Sequence, residues 1–150
     1  MEIIEQSVWA LGNLAGDNVN IRNLIIARGA ISPISQILMS IPPGLSITRN
    51  VSWCLTNLCR GKPVAPFFQT RPALIALSKV LIENQSKEII SDVVWAFSYT
   101  TDASKECFKT IIECKLIPRL IELMEFPDMG VSVPALRTVG NVLTGTDEET

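Results

Sequence analysis

The stretch SVWALGNLAGD (residues 7–17) sets an indole, an amide and a carboxylate four residues apart, at Trp9, Asn13 and Asp17. Four residues is close to one helical turn, so the three share one stripe if the segment is helical. Their chemistry is that of non-covalent recognition. An indole face attracts a cation, a carboxamide both donates and accepts hydrogen bonds, and a carboxylate supplies negative charge. The set recurs along the chain: Trp53 with Asn57, Trp95 with Tyr99, and Arg137 with Asn141. Three residues before each key residue stand Gln6, Asn50, Asp92 and Pro134, and Glu88 lies one turn before Asp92.

Catalytic chemistry finds little to work with. Histidine is absent from all 150 residues, which removes the commonest general base and metal ligand. Ser7, Cys54 and Cys59 offer a hydroxyl and thiols but have no imidazole to activate them, and no Gly-rich phosphate loop appears. The four cysteines (Cys54, Cys59, Cys107, Cys114) are spaced 5, 48 and 7 residues apart, which fits no zinc motif. We therefore expect no enzyme, no metal and no cofactor. The net charge of −2 argues against a nucleic-acid surface. Hydrophobic residues make up 47% of the chain and mean hydropathy is +0.31. No apolar run approaches the ~20 residues that span a bilayer, so the apolarity reads as core and no membrane is expected. The acidic start, MEIIEQ, lacks the basic region of a secretory signal, pointing to cytosol or nucleus with reduced thiols.

The elements that must position these groups follow from the repeat. The key residues Trp9, Trp53, Trp95 and Arg137 are separated by 44, 42 and 42 residues. A helical period of ~40–47 residues is the signature of HEAT and armadillo arrays. Between the motif segments, residues 21–28 read as a short helix ended by Gly29. Ser32-Pro33 opens a second helix to about residue 40, which Pro42-Pro43-Gly44 breaks. Pro72 opens a helix over 73–82, and Pro118 opens its equivalent over 119–125. No segment alternates like a strand. Three helices per unit is the armadillo pattern, so the fold expected is all-α, a right-handed armadillo-repeat solenoid of three-helix units. Residues 1–17 are the last helix of one repeat, and 18–61, 62–102 and 103–147 are three more.

On a helical wheel with each key residue at 0°, Leu11, Leu14 and Ile4 fall between about 140° and 220°, while Asn13, Gln6 and Asp17 fall between about 40° and 80°. Ile47, Val51, Leu55 and Leu58 likewise oppose Trp53, and Ile90, Val93 and Phe97 oppose Trp95. The indoles thus belong to the polar arc. Stacking such helices ~10 Å apart sets them in a row, rimmed by polar groups, which suits a binding groove. Asn13, Asn57 and Asn141 can each hold the N–H and C=O of an extended peptide. Slots between indoles suit an aliphatic stem with a cationic head, and Asp17, Glu88, Asp92 and Asp102 place negative charge beside them. The ligand implied is an extended Lys/Arg-rich segment. Glu88 and Asp92, four residues apart, repel unless a cation lies between them. Asp17 also suits a turn or cap before the next helix, and Arg60 is positioned to brace the carboxylates.

At these residues the sequence resembles the importin-alpha (karyopherin-alpha) family. WALGNLAGD, NLCRGK, PALRTVGN and TGTDEET are similar to that family's consensus nearly letter for letter, and the similarity runs end to end. The resemblance implies a nuclear import adaptor whose concave groove binds basic nuclear localisation signals of cargo proteins. It implies that Trp9, Trp53 and Trp95 belong to the Trp array and that Asn13 and Asn57 clamp peptide backbone. Gln6, Asn50, Tyr99, Asp17, Asp92 and Glu88 match other members of the major site. Arg137 replaces Trp where the array is interrupted. Arg60, Asp102 and Asn141 lie along the groove between sites, and Leu143, Thr144 and Asp147 border the minor site. Leu143 departs slightly from the shorter aliphatic usual there. The resemblance further implies shuttling between cytoplasm and nucleus, and importin-beta as a partner through a segment absent from this chain. It reads as a fragment, from the third helix of armadillo repeat three through repeat six. Self-association through uncapped repeat ends is expected. The alternative is a generic armadillo scaffold that binds another extended peptide.

Overall fold

The protein is described by a computed structural model over residues 2–146. Among these residues the chain is helical throughout, with no strand. The helices are α1 (Glu2–Asp17), α2 (Val19–Ala27), α3 (Ile31–Ser40), α4 (Ser46–Cys59), α5 (Phe67–Glu83), α6 (Lys87–Ala103), α7 (Glu106–Glu113), α8 (Ile117–Met124) and α9 (Met129–Thr146). The motif-bearing helices α1, α4, α6 and α9 pack each against the next, forming one layer. Helices α3, α5 and α7 pack in succession beside them. This is the armadillo architecture expected from the repeat.

Local signals set most boundaries. Asn18 caps α2, its side chain accepting a hydrogen bond from the Asn20 amide at 2.7 Å. Gly29 ends α2 with φ of 77°, a left-handed conformation that glycine adopts without strain. One expectation from the sequence fails. Pro72 does not open a helix but sits inside α5, so the stretch from Phe67 to Glu83 forms one long helix. Residues 62–102, expected to be a three-helix unit, therefore hold two helices, α5 and α6. A proline inside a helix removes the bond to the carbonyl four residues back and crowds that carbonyl with its ring. That carbonyl is Phe68's, near the start of α5, and Phe68 is exposed, so the loss is light.

The core follows the wheel for the inner helices. Val51, Leu55 and Leu58 of α4 are fully buried, as are Val93 and Phe97 of α6. α1 differs. Ile4 and Leu14, expected on its core arc, are 43% and 48% exposed, and Leu11 is only partly buried. The physical reason is that α1 packs substantially on α4 and α2 alone, and no described helix covers its remaining flank.

Buried Arg22 holds the loop that follows α4. Its guanidinium donates to the carbonyls of Arg60, Gly61 (3.2 Å) and Pro63 (2.6 Å), and to the Asn23 side chain at 2.7 Å. Each of those carbonyls is thereby satisfied away from water. The thiols of Cys54, Cys59 and Cys107 are buried, and burial pushes them up to about 12, 12 and 11. They act as small core residues, not nucleophiles.

Candidate peptide-binding groove

The four motif helices bring the repeated residues onto one layer, and contacts between helices set how far each reaches solvent. Trp9 on α1 is 53% exposed. Trp53 on α4 and Trp95 on α6 are half-buried. The seat of Trp53 is Gly12 of α1. A Cβ built at Gly12 would stand 2.5 Å from Trp53 Cζ3 and 2.8 Å from Cε3. One turn on, a Cβ at Gly16 would stand 3.0 Å from Asn57 Nδ2. The glycines of one helix thus make room for the indole and amide of the next. The sequence signal was present as Gly-x-x-x-Gly at Gly12 and Gly16, but only the packing shows what fills the space.

The asparagines are less free than the sequence suggests. Asn57 is buried and donates to the Gly12 carbonyl at 3.0 Å, so it is not fully open to hold peptide backbone. The cause is that α4 lies between α1 and α6, which bury both flanks of its polar arc. Asn141 donates to Thr101 Oγ1 at 3.1 Å. Asn13 donates to its own helix, to the Trp9 carbonyl at 3.0 Å, and is exposed. Asn50 donates to Glu5 Oε1 at 3.0 Å, which brings a further carboxylate to the α1–α4 junction. Gln6 and Asp17 are exposed. Asp17 closes α1 and caps nothing in the next helix, since Asn18 performs that task.

Charge concentrates on α6. Its own backbone N–H and the Ser86 hydroxyl, at 3.0 Å, hold the exposed Glu88 below the usual carboxylate range, and Arg49 adds to this. Burial pushes half-buried Asp92 up, while Arg49 opposes the rise. The cation beside this acidic pair is therefore Arg49 of α4. Arg60 follows α4 directly, and its backbone carbonyl accepts from Arg22. Arg49 escaped notice because it lies one residue outside the repeated positions. The α4–α6 junction is pinned beside the site by Thr56, whose hydroxyl donates to the Asp92 carbonyl at 3.2 Å.

Trp95 is the most engaged indole. It stacks on Tyr99, with ring centroids 5.5 Å apart and planes inclined by 26°. Arg137 of α9 places its guanidinium carbon 5.8 Å from the Trp95 ring centroid. Farther along, Asp102, Asn141 and Thr144 line one cleft of about 400 Å³ with Thr101, Ser104 and Phe108. Leu143 beside it is exposed, and Asp147 lies outside the described residues. The arrangement offers indole faces, amides and carboxylates along one side. Among the described residues no cluster of His, Cys, Asp and Glu suits a metal ion.

Comparison with known proteins agrees with the helical repeat fold. The Armadillo/beta-catenin-like repeat profile matches residues 104–144. Importin subunit alpha-1b of Oryza sativa subsp. japonica is 46% identical over 149 residues, covering 99% of this chain and 28% of the relative. Importin subunit alpha-2 of Arabidopsis thaliana is 44% identical over 124 residues, 83% of this chain and 23% of the relative. The chain thus spans about a quarter of the length of these curated relatives. A designed armadillo repeat protein solved in complex with the peptide (KR)4 superposes with a TM-score of 0.75 at 21% identity, covering 95% of this chain and 62% of that one.

Proposed function

We propose, for a chain that over the stretch it spans belongs to the importin-alpha family, that the Trp-lined layer is part of a nuclear import adaptor's groove for extended Lys/Arg-rich localisation signals. The observation that carries this reading is the partial or full exposure of Trp9, Trp53 and Trp95 on the successively packed helices α1, α4 and α6, the last of which also carries Glu88 and Asp92. Indole walls accept the aliphatic stem of lysine or arginine, and the carboxylates meet its charge. A designed protein of the same fold is described with (KR)4, a ligand of this chemistry. The role is binding, not catalysis, and family membership implies shuttling between cytoplasm and nucleus with basic cargo as the partner.

Because each cation–π contact is worth only ~0.5–2 kcal/mol, several slots must act together for useful affinity. Trp53→Ala removes walls from two adjacent slots. It should weaken binding of a lysine-rich peptide about tenfold, read by isothermal titration, with an acidic peptide as control. Equal affinity of the unmodified protein for the acidic and basic peptides would sink the reading. So would a Trp53→Ala variant that stays folded and binds the basic peptide undiminished.

A further inference from the structure

Helix α5 is apolar on two faces, whereas a helix at a protein surface ordinarily turns a polar face outward. Its inner face, with Leu74, Leu77 and Leu81, is fully buried. Its outer face carries a second stripe of Phe68, Pro72, Ile75, Lys79 and Ile82, spaced alternately four and three residues apart. At 100° per residue these five fall within about 80° of one another, along about 21 Å of helix. Phe68 is 75% exposed and Ile82 48% exposed. Pro72 is exposed too, and Ile75 is half-buried. Beside the stripe, α3 brings Ser32, Gln36 and Met39 to an open cleft of about 450 Å³ that Pro72 and Ile75 share. None of these residues belongs to the motif helices α1, α4, α6 and α9.

The chemistry of this face selects an occupant. An extended segment laid on apolar side chains leaves backbone N–H and C=O groups unpaired, whereas a helix pairs its own. A straight apolar stripe beside a shallow cleft is matched by a helix with apolar residues at i, i+4 and i+7. Charge narrows the choice further. Helix α3 holds no charged residue, and α5 holds Arg71, Lys79 and Glu83. Arg71 is paired with Glu113 of α7 at 3.2 Å, and Glu83 is the last residue of α5. Lys79 lies within the stripe and donates to the Met39 carbonyl at 3.1 Å. Among the described residues no carboxylate forms an ion pair with it. An ammonium has three N–H groups, so Lys79 keeps two for an acidic group.

We propose that the outer face of α5, with the adjoining side of α3, is a second docking surface. It takes an amphipathic helix of a partner protein, apolar toward the stripe and carrying Asp or Glu against Lys79. This surface is separate from the groove and does not depend on what the groove binds.

The test titrates a fluorescent synthetic helix of about 16 residues, with Leu along one stripe and Glu beside it, into the full chain. One control peptide replaces each Glu by Gln, and another scrambles the order of the same residues. The striped peptide should bind about tenfold more tightly than the scrambled one and about fivefold more tightly than the Gln peptide. Phe68→Asp should weaken it about tenfold and Lys79→Glu about fivefold. Phe68 is mostly exposed, so its replacement leaves the core intact, and unchanged circular dichroism checks this. No binding, equal binding of the scrambled peptide, or full binding by Phe68→Asp overturns the inference. Loss of binding in Trp53→Ala with none in Phe68→Asp places the peptide in the groove and overturns it as well. Self-association of the chain that Phe68→Asp abolishes makes a second copy the occupant, which also overturns it.

Discussion

Replacing Gly12 by leucine should destabilise the protein by about 1–3 kcal/mol and weaken binding of a basic peptide about tenfold, as Trp53→Ala does. The site for the new side chain is already filled. Its first atom would stand 2.5 Å from Trp53 Cζ3 and 3.3 Å from the Cys54 Cα. The indole can swing away, but the backbone at Cys54 cannot without separating α4 from α1. Overpacking of this kind costs about 1–3 kcal/mol. The bond from Asn57 to the Gly12 carbonyl, 3.0 Å in the native packing, is strained or lost as well, at about 1 kcal/mol. Leucine's better helix propensity returns close to 1 kcal/mol, so the net stays near the overpacking term. Gly16→Ala is the graded companion. Its Cβ would approach Asn57 Nδ2 at 3.0 Å, a contact relieved by a shift of a few tenths of an ångström, and it should cost less. Urea denaturation and peptide titration of both variants check the pair. A Gly12→Leu protein with native stability and intact binding would show that Trp53 does not sit on α1.

That dependence explains what was legible in the sequence and what was not. The positions of Trp9, Trp53, Trp95 and Arg137 could be read directly, because a repeat of stacked helices imposes its period on the residues of one face. The inner arcs were legible for the same reason: Val51, Leu55 and Phe97 oppose the key residues and are fully buried. Single-helix reasoning failed where two helices share a side chain's surroundings. Asn57 reads as a solvent-facing amide on its own wheel, yet α1 closes over it. Ile4 and Leu14 read as core, yet nothing described lies on that flank of α1. Pro72 reads as a helix start, but proline near the beginning of a helix forfeits one bond, and the apolar face of α5 (Ala73, Leu74, Leu77 and Leu81, all buried) outweighs it. Arg49 acts through space on Glu88 and Asp92, and no spacing rule within one helix could name it.

Reversing the charge at Asp92 tests the electrostatic half of the groove. Asp92→Lys should lower affinity for a lysine-rich peptide about 30-fold, with Asp92→Asn about fivefold. A lost attraction and an added repulsion of ~1 kcal/mol each, at a half-buried site, give this scale. The pH dependence separates Asp92 from its neighbour. Burial holds the Asp92 carboxyl above its ordinary value, so the folded free protein favours the protonated form. Its contribution to stability is therefore full below the ordinary aspartate value and is lost as pH rises through the raised one. A bound cation reverses that preference, because it stabilises the ionised carboxylate. Binding thus expels the proton, and affinity should climb as pH rises through the raised value and level off above it. Glu88 is held below the usual carboxylate range by its own backbone N–H and the Ser86 hydroxyl, and the Asp92→Asn variant separates its contribution from that of Asp92. Peptide titrations across acidic pH should show a rise in the native protein that is clearly smaller in Asp92→Asn. A rise that persists undiminished in Asp92→Asn would place the titrating group elsewhere and leave Asp92 without the role of cation partner.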